Sequence, residues 1–127
     1  MLGSVQAGFI IMGKYTVSGS VIVKAGADVD PSLNTEYEEI FIPQAEAFIN
    51  CSARKDFSGS YSSLNYSGEK ILDMVCSDLA AVYAINYERA IYESRPMAGD
   101  MVNFLLERVD AGIRLLNDDK VRAFIGA

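Results

Sequence analysis

Side chains that could act as nucleophiles, acids or bases are scarce in this sequence. It has no histidine, the side chain that most often serves as a general base near neutral pH. The same absence excludes Ser-His and Cys-His nucleophile pairs and removes the commonest zinc ligand. Adjacent carboxylates such as Glu38 and Glu39, or Asp118 and Asp119, point in different directions on a helix and make a poor catalytic pair. We therefore predict that the protein is not an enzyme and has no catalytic, metal or cofactor site.

The two cysteines, Cys51 and Cys76, are too far apart in the sequence to form a redox C-x-x-C pair or half of a zinc ribbon. Both lie in segments with apolar periodicity, where a free thiol usually acts as a small buried hydrophobic residue. A disulfide between them would depend on their separation in space, which the sequence does not give. We expect reduced thiols in a cytosolic setting.

One acidic segment approaches the spacing of a calcium-binding loop, in which ligands alternate and a glutamate stands at the twelfth position. The matching residues are Asp28, Asp30, Ser32 and Glu39. However, Leu33 stands where the loop needs glycine for its sharp turn, and Pro31 restricts the backbone. The segment is therefore interpreted as a linker ahead of a helix.

Length and charge further restrict the class of protein to which this chain can belong. The chain has 127 residues, of which 50% are hydrophobic, and this fits a single core. Its 17 acidic and 11 basic residues give a net charge of −6, so a broad basic surface for nucleic acid is not expected. Uninterrupted apolar runs such as Phe9–Met12 are far shorter than the ~20 residues that cross a bilayer, so no membrane contact is expected.

Residues 1–15 are expected to form a flexible N-terminal arm, because they lack the basic start and the cleavage site of a signal peptide. Met12 would also make an ordinary start, so we hypothesise that residues 1–11 are an upstream extension. The intact mass of native material would test this hypothesis.

Hydrophobic periodicity predicts helices in the rest of the chain. A short helix is predicted over Val21–Ala25, after hydroxyl caps in residues 16–20 and before Gly26 at its C′ position, with an edge strand as the alternative. A capping box from Thr35 to Glu38 begins a helix that runs to about Ala53. Because Pro43 interrupts it, this helix either bends there or begins near residue 42.

Two further long helices follow a loop over residues 54–67. Ser67 is predicted to cap the first, the central helix of the domain, whose thin polarity between Met74 and Ile85 indicates burial on more than one face. The second starts near Pro96, and its solvated face is predicted to carry Glu107, Arg108, Asp110 and Arg114. The fold class is therefore an all-α bundle of three long helices plus a short N-terminal helix over residues 16–119, with a C-terminal tail at 120–127.

Several segments carry a resemblance to a known family: Gly26–Val29, Ile42–Asn50 with its exit Ala53–Phe57, Ile71–Ala81 and Gly112–Ile125. In this order they resemble the small head-tail connector proteins of tailed bacteriophages, also called head-completion or neck adaptor proteins. The resemblance covers most of residues 16–125, and the N-terminal arm departs from it.

The resemblance implies an α-helical structural protein of the virion without catalytic activity. Such subunits assemble in the host cytoplasm as a ring, usually a dodecamer, below the portal protein at the neck of the virion. They bind the next neck or tail protein and continue the DNA channel. A terminal segment docks into the portal, and here the docking candidates are Lys120, Val121, Arg122, Phe124 and Ile125.

The charge and the symmetry of such a ring lead to two expectations. An acidic channel lining repels passing DNA and lets it slide without sequence-specific binding. A ring contact joins two different surfaces, so apolar area should be exposed on two sides of the subunit. The alternative function is a stand-alone acidic helical regulator or protein-binding module, which would stay a monomer or dimer with one dominant partner.

Overall fold

The computed structural model describes residues 15–26, 36–87 and 95–127. A π-helix over Tyr37–Phe41 and a 3-10 helix over Phe57–Ser63 accompany five α-helices, and no strand occurs in these ranges. The all-α prediction is therefore confirmed. In chain order, the α-helices are α1 (Ser18–Ala25), α2 (Ile42–Ala53), α3 (Tyr66–Tyr87), α4 (Arg95–Asn117) and α5 (Asp119–Ile125).

The first segment adopts the predicted helix rather than the alternative strand. Gly26 follows α1 with φ of 96°, and its N–H donates to the carbonyl of Ile22 at 3.0 Å, as expected of a C′ glycine. The prediction of a hydroxyl cap is wrong, because Val17 is the N-cap residue and no side chain caps this end.

A wider, π-helical turn accommodates Pro43 in the second helix. Ile42 N–H donates to the carbonyl of Tyr37, five residues earlier, and Pro43 lies in the first turn of α2. In the first turn of an α-helix, a proline does not break an α-helical hydrogen bond, and here the π-helix leads directly into α2. Thr35, the predicted cap, lies outside the described residues, as do Asp28, Asp30 and Ser32 of the calcium-like segment.

Helix α3 lies at the centre of the fold, as its composition predicted. Every residue from Val75 to Val82 is buried, and α1, α2, α4, α5 and the π-helix all pack against it. The start of the helix differs from the prediction. Asn65 Oδ1 accepts a hydrogen bond from Gly68 N–H at 2.9 Å, so Asn65 rather than Ser67 caps the helix.

Helices α3 and α4 pack closely together at Gly112. A Cβ at this position would overlap Val75 Cγ2, so the glycine lets the two helices meet. Leu105, Val109 and Leu116 line the same side of α4 and are buried. This side of α4 therefore forms part of the core.

Both ends of the described chain are packed. Tyr15, which the sequence placed in the N-terminal arm, is 2% exposed, whereas residues 1–14 lie outside the described ranges. At the other end, the predicted tail forms α5, which folds back on the start of α3. Ile125 is buried, and its carbonyl accepts a hydrogen bond from Asn65 N–H at 3.0 Å.

Candidate functional site

The structure separates the five predicted docking residues into two groups. Lys120 and Phe124 are exposed, and the Phe124 side chain is 69% accessible. Val121 is half-buried against the core, and Ile125 is fully packed inside it. The fifth residue, Arg122, is used within the chain.

The guanidinium of Arg122 connects three parts of the chain. Its Nε donates to the carbonyl of Leu116 at 2.6 Å, and its Nη2 donates to the carbonyl of Ala53. The same group lies 5.9 Å from the ring centroid of Phe57. These contacts satisfy carbonyls near the ends of α2 and α4, so Arg122 holds the C-terminal helix against the rest of the chain. The side chains of Lys120 and Phe124 make no such contact with the described residues and are exposed to solvent.

An apolar groove runs between α2 and α4. It has a volume of about 280 Å³, and its rim carries Phe48 and Leu106, which are 48% and 41% exposed. We call it the α2/α4 groove. Its other lining residues are Ser52, Val109, Asp110 and Ile113.

A second apolar surface lies on the other flank of α4. Phe104 and Leu115 are 57% and 42% exposed, and Arg108 lies between them in sequence, its guanidinium carbon 5.3 Å from the Phe104 ring centroid. We call these three residues the α4 stripe. Positions 104 and 106 differ by about 200° around a helix, so the stripe and the α2/α4 groove face opposite sides of α4.

A buried ionic cluster holds Arg108, the central residue of the α4 stripe. Asp78 of α3 is completely buried, and its Oδ1 accepts from Lys24 Nζ of α1 at 2.8 Å. Arg108 of α4 makes a two-pronged contact with the same carboxylate, with both nitrogen-to-oxygen distances 3.0 Å. One carboxylate therefore joins three helices through charge-assisted hydrogen bonds.

The sequence interpretation missed this cluster. It placed Arg108 on the solvated face of α4, which is wrong, because the guanidinium reaches inward to Asp78. A usable signal was present: an aspartate in a long apolar stretch is rarely fully buried unless a cation pairs with it. Which cations pair with it depends on the packing of α1 and α4 against α3.

The two cysteines occupy different environments, and both are free thiols. Cys76 is buried as expected, and burial raises the pKa of its thiol, which keeps it protonated. Cys51 is exposed, so its prediction as a buried residue is wrong. Within the described ranges, no three cysteine or carboxylate side chains meet in a way that could hold a metal ion.

Comparisons with known proteins identify no relative, because the chain matches no protein-family model, no curated protein and no solved structure. In the part of the chain that the structure describes, no helix is long and apolar enough to cross a membrane.

Proposed function

We propose that this protein is a structural virion component, a head-tail connector whose subunits form a ring below the portal and continue the DNA channel toward the tail. In this proposal, three long helices and the short N-terminal helix form the body of the subunit. The observation that carries the proposal is the pair of exposed apolar surfaces on opposite flanks of α4. A ring subunit needs two such surfaces, because each contact joins one face to a different face of the next copy.

The shapes of the two surfaces support a contact between copies. The α2/α4 groove is concave and has room for an aromatic side chain, whereas Phe104 protrudes from the α4 stripe. An aromatic anchor that fills a pocket is the usual centre of a stable protein interface. We therefore assign a second copy of this chain as the occupant of the groove, with Phe104 as the inserted side chain.

The C-terminal helix supplies the proposed portal contact. Phe124 and Lys120 face solvent from α5, whereas Arg122 and Ile125 hold that helix on its own subunit. The net charge of −6 supports the channel role, since an acidic lining repels the phosphates of passing DNA. No sequence-specific contact with DNA is part of the proposal.

The ring contact can be tested with two variants that each lose one face. Phe48→Asp with Leu106→Asp disables the groove, and Phe104→Asp with Leu115→Asp disables the stripe. If the contact is head-to-tail, each variant alone is monomeric in native mass spectrometry. An equimolar mixture forms a dimer and nothing larger, because only one productive contact remains.

Two results would contradict the proposed ring. One variant that forms a dimer by itself would indicate a self-complementary contact, and a wild-type chain that stays monomeric at every concentration and in the presence of portal protein would indicate no ring. Glu107→Gln is the matched control, because this exposed residue of α4 belongs to neither surface. Mass spectrometry of purified virions tests the wider role, and absence of the chain from the particles would favour the regulator.

A further inference from the structure

The two apolar surfaces of α4 carry charges of opposite sign. Arg108 belongs to the α4 stripe, whereas Asp110 is the only charged residue among the described residues that line the α2/α4 groove. The two residues are two positions apart on one helix, which places them about 200° apart around its axis. They therefore face opposite sides of the chain and do not pair with each other within it.

The ionic cluster at the stripe has an excess of positive charge. Two cations, Lys24 and Arg108, share the single carboxylate of Asp78, so one positive charge is left uncompensated. Arg108 uses its Nε and Nη2 for this carboxylate, and its Nη1 makes no hydrogen bond with the described residues. Because the Arg108 side chain is 36% exposed, its guanidinium can also contact a carboxylate from outside the chain.

The groove presents a carboxylate that can accept such a contact. The Asp110 side chain is 62% exposed, and its Oδ2 accepts a hydrogen bond from Arg114 Nη2. Its Oδ1 has no hydrogen-bond partner among the described residues. An ionised carboxylate has room for about four hydrogen bonds, so the contact with Arg114 leaves acceptor capacity for a second cation.

Insertion of Phe104 into the groove brings this cation and this carboxylate together. The guanidinium carbon of Arg108 lies 5.3 Å from the ring centroid of Phe104, so the cation moves to the rim of the groove with the ring. There it loses part of its hydration, which opposes binding unless an opposite charge is present. Asp110 lines the same groove and supplies that charge.

We propose that Arg108 of one copy forms an ion pair with Asp110 of the next copy when Phe104 fills the α2/α4 groove. This inference rests on the proposed ring contact and names the polar residues that give the contact its direction. A stripe-to-stripe contact would bring two Arg108 cations together, and a groove-to-groove contact would bring two Asp110 carboxylates together. Both arrangements are disfavoured by like-charge repulsion, whereas the head-to-tail arrangement pairs opposite charges.

The two variants that each lose one face allow a test in which this ion pair can form only once. The groove donor carries Phe104→Asp and Leu115→Asp, and the stripe donor carries Phe48→Asp and Leu106→Asp. Isothermal titration calorimetry of one into the other measures the Kd of a single contact. Asp110→Asn is then introduced into one of the two chains at a time.

The expected result depends on which chain carries the substitution. Asp110→Asn in the groove donor should raise the Kd about tenfold, because it removes the charge of the proposed acceptor. The same substitution in the stripe donor should leave the Kd unchanged, because that carboxylate lies away from the contact. The comparison is matched for stability, since both chains lose the same surface ion pair with Arg114. Arg108 is left intact, because its loss would remove a partner of the buried Asp78 carboxylate.

Salt provides a second measurement. Screening weakens attraction between charges, so added sodium chloride should raise the Kd of the original pair of donors. It should raise the Kd less when the groove donor carries Asp110→Asn, because the proposed ion pair is then already lost.

Three outcomes would overturn the inference. If the heterodimer forms and Asp110→Asn in the groove donor does not weaken it, the ion pair is absent, although the ring contact stands. If the substitution weakens binding equally in either chain, the overall charge of the chains is the cause. If the two donors form no heterodimer, the ring contact and the ion pair fail together.

Discussion

The buried ionic cluster gives the sharpest prediction about stability. The perturbation is a pair of substitutions, Lys24→Met and Arg108→Met, which remove both cations and leave the Asp78 carboxylate in the core. Asp78 is completely buried, whereas the side chains of Lys24 and Arg108 are 25% and 36% exposed. The loss in the free energy of unfolding therefore comes from the buried carboxylate that has no partner left, not from the removal of the two cations.

The expected magnitude follows from this asymmetry. Breaking a buried ion pair by removing one partner costs about 3–5 kcal/mol. Because both cations are partly solvated in the native state, we expect the lower end of this range, about 3 kcal/mol, for the double variant. A small domain has about 5–15 kcal/mol of total stability, so the loss is large. Adding Asp78→Leu removes the stranded charge and should restore the free energy of unfolding to within about 1 kcal/mol of wild type.

The assay is urea unfolding followed by far-ultraviolet circular dichroism, with the free energy of unfolding taken from linear extrapolation. Arg114→Met is the matched control, since Arg114 lies on the same helix but forms its ion pair with Asp110 on the surface. It should cost at most about 0.5 kcal/mol. A double variant that loses less stability than the control, or a triple variant that is as unstable as the double, would show that the stranded carboxylate is not the cause.

Two further predictions concern the helix crossing and the buried tyrosine. Gly112→Ala should lower the free energy of unfolding by about 1 kcal/mol, because overlap with Val75 outweighs the gain in helix propensity. In a Val75→Ala background the same substitution should raise the free energy of unfolding. If it lowers the urea midpoint in both backgrounds, this explanation is wrong. Burial raises the pKa of Tyr15, so above pH ~10 the unfolded state loses its proton first and stability falls as pH rises, by up to about 1.4 kcal/mol per pH unit. Tyr15→Phe should make that fall shallower, whereas Tyr66→Phe, which alters a ring that is 74% exposed, should leave the slope unchanged; equal slopes in both variants would disprove this cause.

Much of the local structure could be predicted from neighbouring residues. Gly26 marked the end of α1, and the long apolar segment of α3 indicated a helix covered on several sides. Such signals work because a helix forms hydrogen bonds within its own segment, and because apolar spacing sets which face is buried. The cap predicted at Ser67 is wrong, because Asn65 and Ser67 are both good capping residues and only the actual start of the helix decides between them.

The sequence predicted that apolar surfaces would be exposed, but it did not predict which residues form them. Apolar area on two sides of the subunit was expected, but the pairing of Phe48 with Leu106 across a groove depends on how α2 lies against α4. The same holds for the C-terminal segment. Its composition indicated docking, whereas the structure shows that Arg122 and Ile125 contact their own chain and that Phe124 is left exposed.

The helical class, the acidic charge and the scarcity of catalytic side chains could be predicted from the sequence, because they depend on composition and on contacts within about four residues. Which polar groups share a buried site depends on the tertiary structure. Asp78 meets Lys24 and Arg108 from positions 54 and 30 residues away. Thr16 and Asp73 likewise line one concavity although they belong to different segments of the chain. These contacts depend on the packing of whole helices, so the local spacing of residues does not predict them.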